Sequence, residues 1–574
     1  MRKPQLIIGF ILIFSLGFFL RIYRLDTYGL YFDEKVTLLV SQGISPEGAN
    51  QTDVFNKPFF TPAQFWKEKH IPDYFEAIAR GDWGNSPLHY SFVHFWVKIF
   101  GISDFSVRFS SVFWSILLLP LIFIFTKNLF KNQKYLPFFA MFCVAVEPFF
   151  IAQSHILRNY SMSMFLVVLS TLVLFKILSK NSPPSPKIYF YYMFLVACCL
   201  MSHYLTFPVF VAHGVLFISS KQNQKSWYLM LIFALIPACI LGLWLLYGGG
   251  KYSLKTMQDV ATFYKNIAQN PPNPNPYIGM IDPVNIQSVK LKLIPVLADL
   301  FVLSNGLVGL LIGVKNLIIS ILAGILVSIL LYRYVKSSLK LYLILSLIAL
   351  GFSCFLYSIN SLHFLGFSLF IAASIYLIFF FKTKLNRDDF RLIVLIFVPI
   401  VLMMVQVFKA GHTFSINQRY LAFCLPFTAI LCGRLLCFWV STKTLQLFLP
   451  LFFMGFSYQI FKVNSEILND TSVKYSNFKS PRLSNPHALA AKLIEQQYMV
   501  GDTILLPNFQ RGTFSDVVGL TQGKSVFDSQ LINLYLCKKC NYLEKVNSSS
   551  SSKVFIIKKD GKTHQIFDFE NKIY

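Results

Sequence analysis

Long apolar runs separated by short polar connections fill the chain from residue 5 to residue 462. A run of roughly 17 to 25 residues suits a helix that crosses a bilayer, and the pattern predicts about thirteen such helices. They fall at 5–24, 106–126, 135–154, 160–179, 187–202, 204–220, 227–247, 315–333, 340–358, 361–381, 390–408, 417–440 and 443–462. Positive residues collect at every second connection. Lys127, Lys131 and Lys134 form one group, Lys176, Lys180 and Lys187 another; Lys221 and Lys225, then Arg333, Lys336 and Lys340, then Lys382, Lys384, Arg387 and Arg391 follow. Cytoplasmic loops carry such an excess under the positive-inside rule. With the amino terminus in the cytoplasm, an odd number of spans leaves the carboxyl tail outside, together with 26–105, 248–305 and the short 409–417.

The outer segments have patterns of their own. From Phe59 to Arg80, aromatic and aliphatic residues mix with Lys and Glu at helical spacing, which predicts amphipathic helices lying on the membrane surface. Pro87 opens an apolar stretch to Phe100 that reads as a helix dipping back toward the bilayer, with Gly101 ending it. Beyond residue 463 the pattern turns polar. HALAAKLIEQQ reads as a helix, GDTILLPN as a strand, and KVFIIKKDGKTHQIFDFE as a hairpin around Asp560-Gly561, with Ser548 to Ser552 as a flexible connector. The expected organisation is therefore a membrane domain over 1–463 and a small extracytoplasmic α/β domain over 464–574.

Composition makes the membrane reading firm. Of 574 residues, 55% are hydrophobic and 14% charged, with a mean hydropathy of +0.56, more apolar surface than one water-soluble core can hide. The first run follows a basic start but lacks a small-residue cleavage site, so it is expected to remain as a span rather than leave as a signal peptide. A formal charge of +26 would suit nucleic acid, but its confinement to short loops reads as topology, and no nucleic-acid partner is expected. Eight of the ten cysteines fall within spans, as small hydrophobes do; Cys537 and Cys540 lack the second pair of a zinc ribbon and read as a local disulfide.

Candidate chemistry concentrates at the outer helix ends. Asp33-Glu34, just after the first span, sets two adjacent carboxylates at the membrane mouth, poor lipid neighbours and good proton acceptors. Arg158 and Arg419 also lie at outer helix ends, against the positive-inside trend. A bidentate contact with phosphate accounts for each, and so does a snorkelling interfacial side chain. Glu147 is an intramembrane carboxylate, a site candidate or a buried hydrogen-bonding group. His89, His94 and His203 can touch sugar hydroxyls or a metal, or simply pack. Asp82 reads more readily as a loop-fixing residue than as an acceptor ligand.

In order along the chain stand the acidic pair, a Pro-Leu-His-Tyr segment from Pro87 with His94 and Trp96 beyond it, and Phe100-Gly101 through Arg108. Arg158-Asn159-Tyr160, His203-Tyr204, and Arg419-Tyr420 followed by Pro426 come after. Over roughly residues 1 to 460 this set resembles the membrane glycosyltransferases of the C-type fold, in the branch of protein O-mannosyltransferases and the lipid A aminoarabinose transferase. The resemblance implies an all-α polytopic protein in the plasma (inner) membrane, a hexosyl- or pentosyltransferase. It would move a sugar from a polyprenyl-phosphate carrier to a lipid, glycan or protein acceptor on the outer face, with inversion. It maps the base onto Asp33; Glu34 beside it completes the catalytic pair and can orient Asp33, bind a metal or only hydrogen-bond to the loop. It also implies donor-phosphate contacts from Arg158, Arg419 and Lys35, and substrate contacts from Tyr160, His89, His203, Tyr204 and Glu147. Lys35 stands where a small residue is common in the family and is equally able to pair with Glu34. A divalent metal is compatible with this chemistry and not required by it. The rival readings are a polytopic transporter, which should show related halves and midplane charges, and a non-catalytic envelope assembly protein.

Overall fold

The computed structural model describes residues 3–44, 69–82, 84–179, 185–220, 222–275, 277–301, 305, 387–441, 460–472, 474–475, 481–507, 526–549 and 551–570, with scattered positions from 318 to 348. The expected spans at 340–358, 361–381 and 443–462 lie mostly or wholly outside the described residues, and the one at 315–333 is described only in scattered positions.

Five described helices are long and apolar enough to cross a membrane. They are α1 (Lys3–Ile22), α5 (Asp104–Leu129), α8 (Tyr160–Ile177), α11 (Gln224–Tyr247) and α14 (Arg387–Ala410). Before α5 come α2 (Phe32–Ser41), α3 (Ile71–Asp82) and α4 (Pro87–Phe100). α4 has the bounds its sequence predicts, with Pro87 at the first turn and Gly101 at φ 76° closing it. The expected span 135–154 is instead a bent pair, α6 (Leu136–Val146) and α7 (Pro148–Ser154), meeting at 56°. Glu147 is extended there, and Pro148 has no N–H to continue the helix. Arg21 braces the break: its buried guanidinium donates to the carbonyls of Val144 at 2.9 Å and Ala145 at 3.1 Å.

Further described helices of this part include α9 (Pro186–Ser202), α10 (Phe207–Ser219), α12 (Ser253–Gln269), α13 (Ile286–Phe301) and α15 (Leu425–Ser441). The expected helix 417–440 begins as a 3₁₀ turn, Gln418–Cys424, because Asn417 caps its start and Pro426 opens a new helix. α8 is the most enclosed span; α1 and α11 lie at the rim with their apolar surface outward, as lipid-facing helices do.

The carboxyl-terminal part holds α16 (Pro486–Gln497), β1 (Thr503–Leu506), α17 (Val526–Tyr535), β2 (Leu543–Val546), β3 (Lys553–Ile557) and β4 (Thr563–Asp568). The sheet order is β2-β1-β3-β4, parallel between β1 and β2 and antiparallel elsewhere. The β3–β4 hairpin turns at Gly561, φ 84°, where a left-handed residue is needed. Cys537 and Cys540 are joined in a disulfide. The apolar face of this unit does not close on itself. Ile494, Ile504, Ile532 and Ile556 share one core with Leu38 and Leu39 of α2 and Val93 of α4. The sheet unit is thereby packed onto the helix that carries the acidic pair.

Candidate active site

α2 starts at Tyr31, and Asp33 and Glu34 occupy its first turn. Adjacent helical positions point about 100° apart, so the two carboxylates face different surroundings. Glu34 points inward and is fully buried. Its oxygens accept from Arg108 Nε and Nη2, both at 2.8 Å, from the Leu157 N–H at 2.9 Å and from the Tyr31 N–H at 2.7 Å. Arg108 spends its other protons on the carbonyls of Leu25, Tyr28 and Gly29, and Arg482 stands 3.7 Å from Glu34. Burial pulls the Glu34 pKa upward, but Arg108, with Arg482, pulls it further down, and it ends below the ordinary carboxylate value. Glu34 is thus the knot that ties α2, α5, the loop before α8 and the segment leading to the sheet.

Asp33 faces the other way. Its side chain is 29% exposed and lies 4.0 Å from Arg419 Nη1. Its backbone carbonyl accepts from Thr37 Oγ1 at 2.7 Å, and Thr37 Oγ1 in turn accepts from Arg158 Nη1 at 3.4 Å. Arg158 comes from the loop between α7 and α8, which Asn159 fixes by donating to the Ser202 carbonyl at 2.9 Å. Burial disfavours the Arg158 charge, yet Asp33 and then Asp82 outweigh that and hold its pKa above the usual value. Asp82, at the end of α3, is 3.9 Å from Arg158; burial raises its pKa to about 6 against the opposing pull of Arg158.

Around these four charges stand neutral rings. Tyr160 lies against His203 at 5.4 Å and Phe423 at 6.4 Å between ring centroids. Burial, then Arg158, lower both His89 and His203 to about 3, so both are neutral imidazoles. Among the described residues, Asp82 Oδ2, both His89 nitrogens, Arg158 Nε and Asn159 Oδ1 are buried without a hydrogen-bond partner. Buried polar atoms are seldom left so, and a cluster of them beside two arginines suits a polar, anionic ligand.

The other expected residues lie elsewhere. Lys35 is buried in α2. The Tyr204 hydroxyl donates to the Gly84 carbonyl at 2.7 Å and accepts from Trp244 Nε1 at 3.0 Å, which makes it a clamp on the turn before α4. Glu147 belongs to a separate polar group: one oxygen accepts from Asn305 at 3.3 Å, and its charged neighbours are Lys474 and Asp299 rather than Asp33 or Arg158. His94 meets the Ser41 carbonyl at 2.9 Å. Among the described residues no three His, Cys, Asp or Glu side chains form a metal-ligating group.

Sequence reasoning did not place Asp82 beside Arg158 and gave no role to Arg108 and Arg482. Arg108 carried the same signal as Arg158, a cation at an outer helix end. Arg482 carried none, since only folding of the tail brings it back to α2.

Residues 85–244 match the family model described as dolichyl-phosphate-mannose-protein mannosyltransferase, which bears out the resemblance to that superfamily. Two crystal structures of ArnT from Cupriavidus metallidurans align with most of the chain. The apo form aligns at 11% identity and a TM-score of 0.39 over 95% of this chain and 86% of that one. The form bound to undecaprenyl phosphate aligns at 12% and 0.36 over 96% and 87%. No curated protein matches the chain.

Proposed function

We propose that the chain is an inverting glycosyltransferase of the outer face of the plasma membrane, moving a hexose or pentose from a polyprenyl-phosphate carrier to a lipid, glycan or protein acceptor. The family match over 85–244 supports the reaction class. The observation that carries the reading is the partly open Asp33 carboxylate set beside Arg419 and Arg158 while its neighbour Glu34 is wholly occupied.

An acceptor hydroxyl is a weak nucleophile at neutral pH, and Asp33 takes its proton as the oxygen attacks the anomeric carbon. The new C–O bond forms as the bond from that carbon to the carrier phosphate breaks. The lipid phosphate departs as an anion, with Arg158 and Arg419 stabilising its growing charge. Asp82, His89, His203 and Tyr160 meet the sugar hydroxyls. Glu34 holds α2 in register and has no proton-transfer role. Lys35, buried in α2, and Glu147, buried beside Asn305, are left as structural residues.

The test is acceptor-dependent release of polyprenyl phosphate by the purified protein, with lipid, glycan and peptide acceptors offered in parallel. Release with one acceptor class supports the reading. No release with any, from a donor panel of hexose and pentose carriers, contradicts it.

A further inference from the structure

A second charged cavity lies at the far end of the same helices. α8 begins at Tyr160, two residues after Arg158, and runs 18 residues to Ile177. At about 1.5 Å per residue that is roughly 27 Å, close to the thickness of a bilayer's hydrocarbon core. There, between the last turns of α5 and α8 and the first turn of α14, a cavity of about 620 Å³ opens at the end of α8 away from Arg158.

Its lining is mixed. Phe125, Leu129, Phe130, Leu172 and Phe175 supply an apolar wall, and Lys131, Lys176 and Arg391 stand among uncharged polar side chains. Three cations meet one lining carboxylate, Asp388, which leaves a net of two positive charges. Arg391 is held in place: it donates to Asp388 at 2.8 Å and lies 5.2 Å over the Phe175 ring. Behind it, Arg434 pairs with Asp389 at 2.7 Å and covers the Phe130 ring at 4.7 Å. Lys131 and Lys176 are exposed and enter no ion pair among the described residues.

We propose that this cavity binds the headgroup phosphate of an anionic membrane lipid, with the acyl chains against the apolar wall. Basic pockets between helix ends at headgroup level suit anionic headgroups, each nearby cation contributing about a fivefold gain in retention. A free phosphate would satisfy the lysines but leave the wall uncovered. The site is independent of the reaction proposed above, since no residue is shared.

The full chain in detergent is equilibrated with phosphatidylglycerol vesicles, phosphatidylcholine vesicles or sodium phosphate, and retained adducts are counted by native mass spectrometry. Wild type is expected to keep phosphatidylglycerol in preference to phosphatidylcholine. Lys131→Gln/Lys176→Gln should lower that retention about 25-fold, at about fivefold per charge. Ser179→Trp, which fills the cavity without changing charge, should lower it too. Equal retention of the two lipids, retention unchanged in both variants, or displacement of phosphatidylglycerol by millimolar phosphate would each overturn the proposal.

Discussion

Replacing Glu34 by Gln keeps the shape of the side chain and removes its charge. In the native protein that charge faces two Arg108 nitrogens at 2.8 Å and Arg482 at 3.7 Å, with no solvent at Glu34. The amide can accept from one guanidinium nitrogen but presents an NH₂ to the other, and buried Arg108 loses its hydrogen-bonded counter-charge, keeping only the weaker influence of Asp104 and Asp470. Breaking a buried pair in this way costs about 3–5 kcal/mol. Glu34→Gln should therefore shorten the half-life of the folded protein in warm detergent by about two to three and a half orders of magnitude, on the order of tenfold per 1.4 kcal/mol if the loss falls on the native state. The assay is the monodisperse fraction by size exclusion after timed heating. Arg108→Met alone should be comparably damaging, and Glu34→Gln/Arg108→Met should recover much of the loss, because no charge is then stranded. A Glu34→Gln protein as durable as wild type would refute the assignment of Glu34 as a structural knot. Acid tests the same contact. The folded pKa of Glu34 is depressed, so its contribution is present above the unfolded carboxylate value and is lost as pH falls through the folded one.

Asp82 carries the opposite sign. Its folded pKa is raised to about 6, so the cost of its ionisation builds up from the ordinary carboxylate value and is present in full above pH 6; a step in donor KM near pH 6 should disappear in Asp82→Asn. Arg158→Gln should lower turnover by at least about 100-fold if it stabilises the departing phosphate, and Arg419→Gln, whose side chain is 34% exposed, should cost less; equal and small effects on both would count against phosphate contact. Gly433→Ala would set a Cβ 2.6 Å from the Ala140 backbone nitrogen and 2.8 Å from its Cα, forcing α15 away from α6 and reducing the yield of folded protein, as a fluorescence size-exclusion profile would register. Gly84→Ala combines φ +71° with a Cβ 2.6 Å from the Gly249 carbonyl, and should loosen the turn before α4 and raise donor KM.

Where one physical rule dominated, the chain was readable in advance. Apolar length marked α1, α5, α8, α11 and α14, Pro87 and Gly101 bracketed α4, and the Asp560-Gly561 turn marked the hairpin. The break at Glu147 was hidden because Pro148 sits in an otherwise unbroken apolar run, and a proline inside a span is tolerated when a neighbour such as Arg21 meets the freed carbonyls. α2 was hidden for another reason. FDEKVTLLVS is only ten residues long, its charges Glu34 and Lys35 are buried along with its apolar side chains, and the latter pack partly against the distant sheet. The site shows the same division. Asp33, Arg158 and Arg419 stood out as charges in unfavourable positions, a local signal. That Glu34 faces Arg108 and Arg482, and that Asp82 faces Arg158, depends on contacts between segments far apart along the chain, which no local pattern encodes.

The central claim is that Asp33 is the base. Its side chain is partly open and 4.0 Å from Arg419, and Asp82 still faces Arg158 when the Asp33 charge is gone, so Asp33→Asn should cost less thermal durability than Glu34→Gln and leave donor binding near wild type. Removing a general base should slow turnover about 10²- to 10⁴-fold. The decisive measurement is single-turnover carrier release by wild type and Asp33→Asn at saturating donor and acceptor, with donor binding followed in parallel. Slow release with donor binding intact is the predicted result; release as fast as wild type would contradict the account.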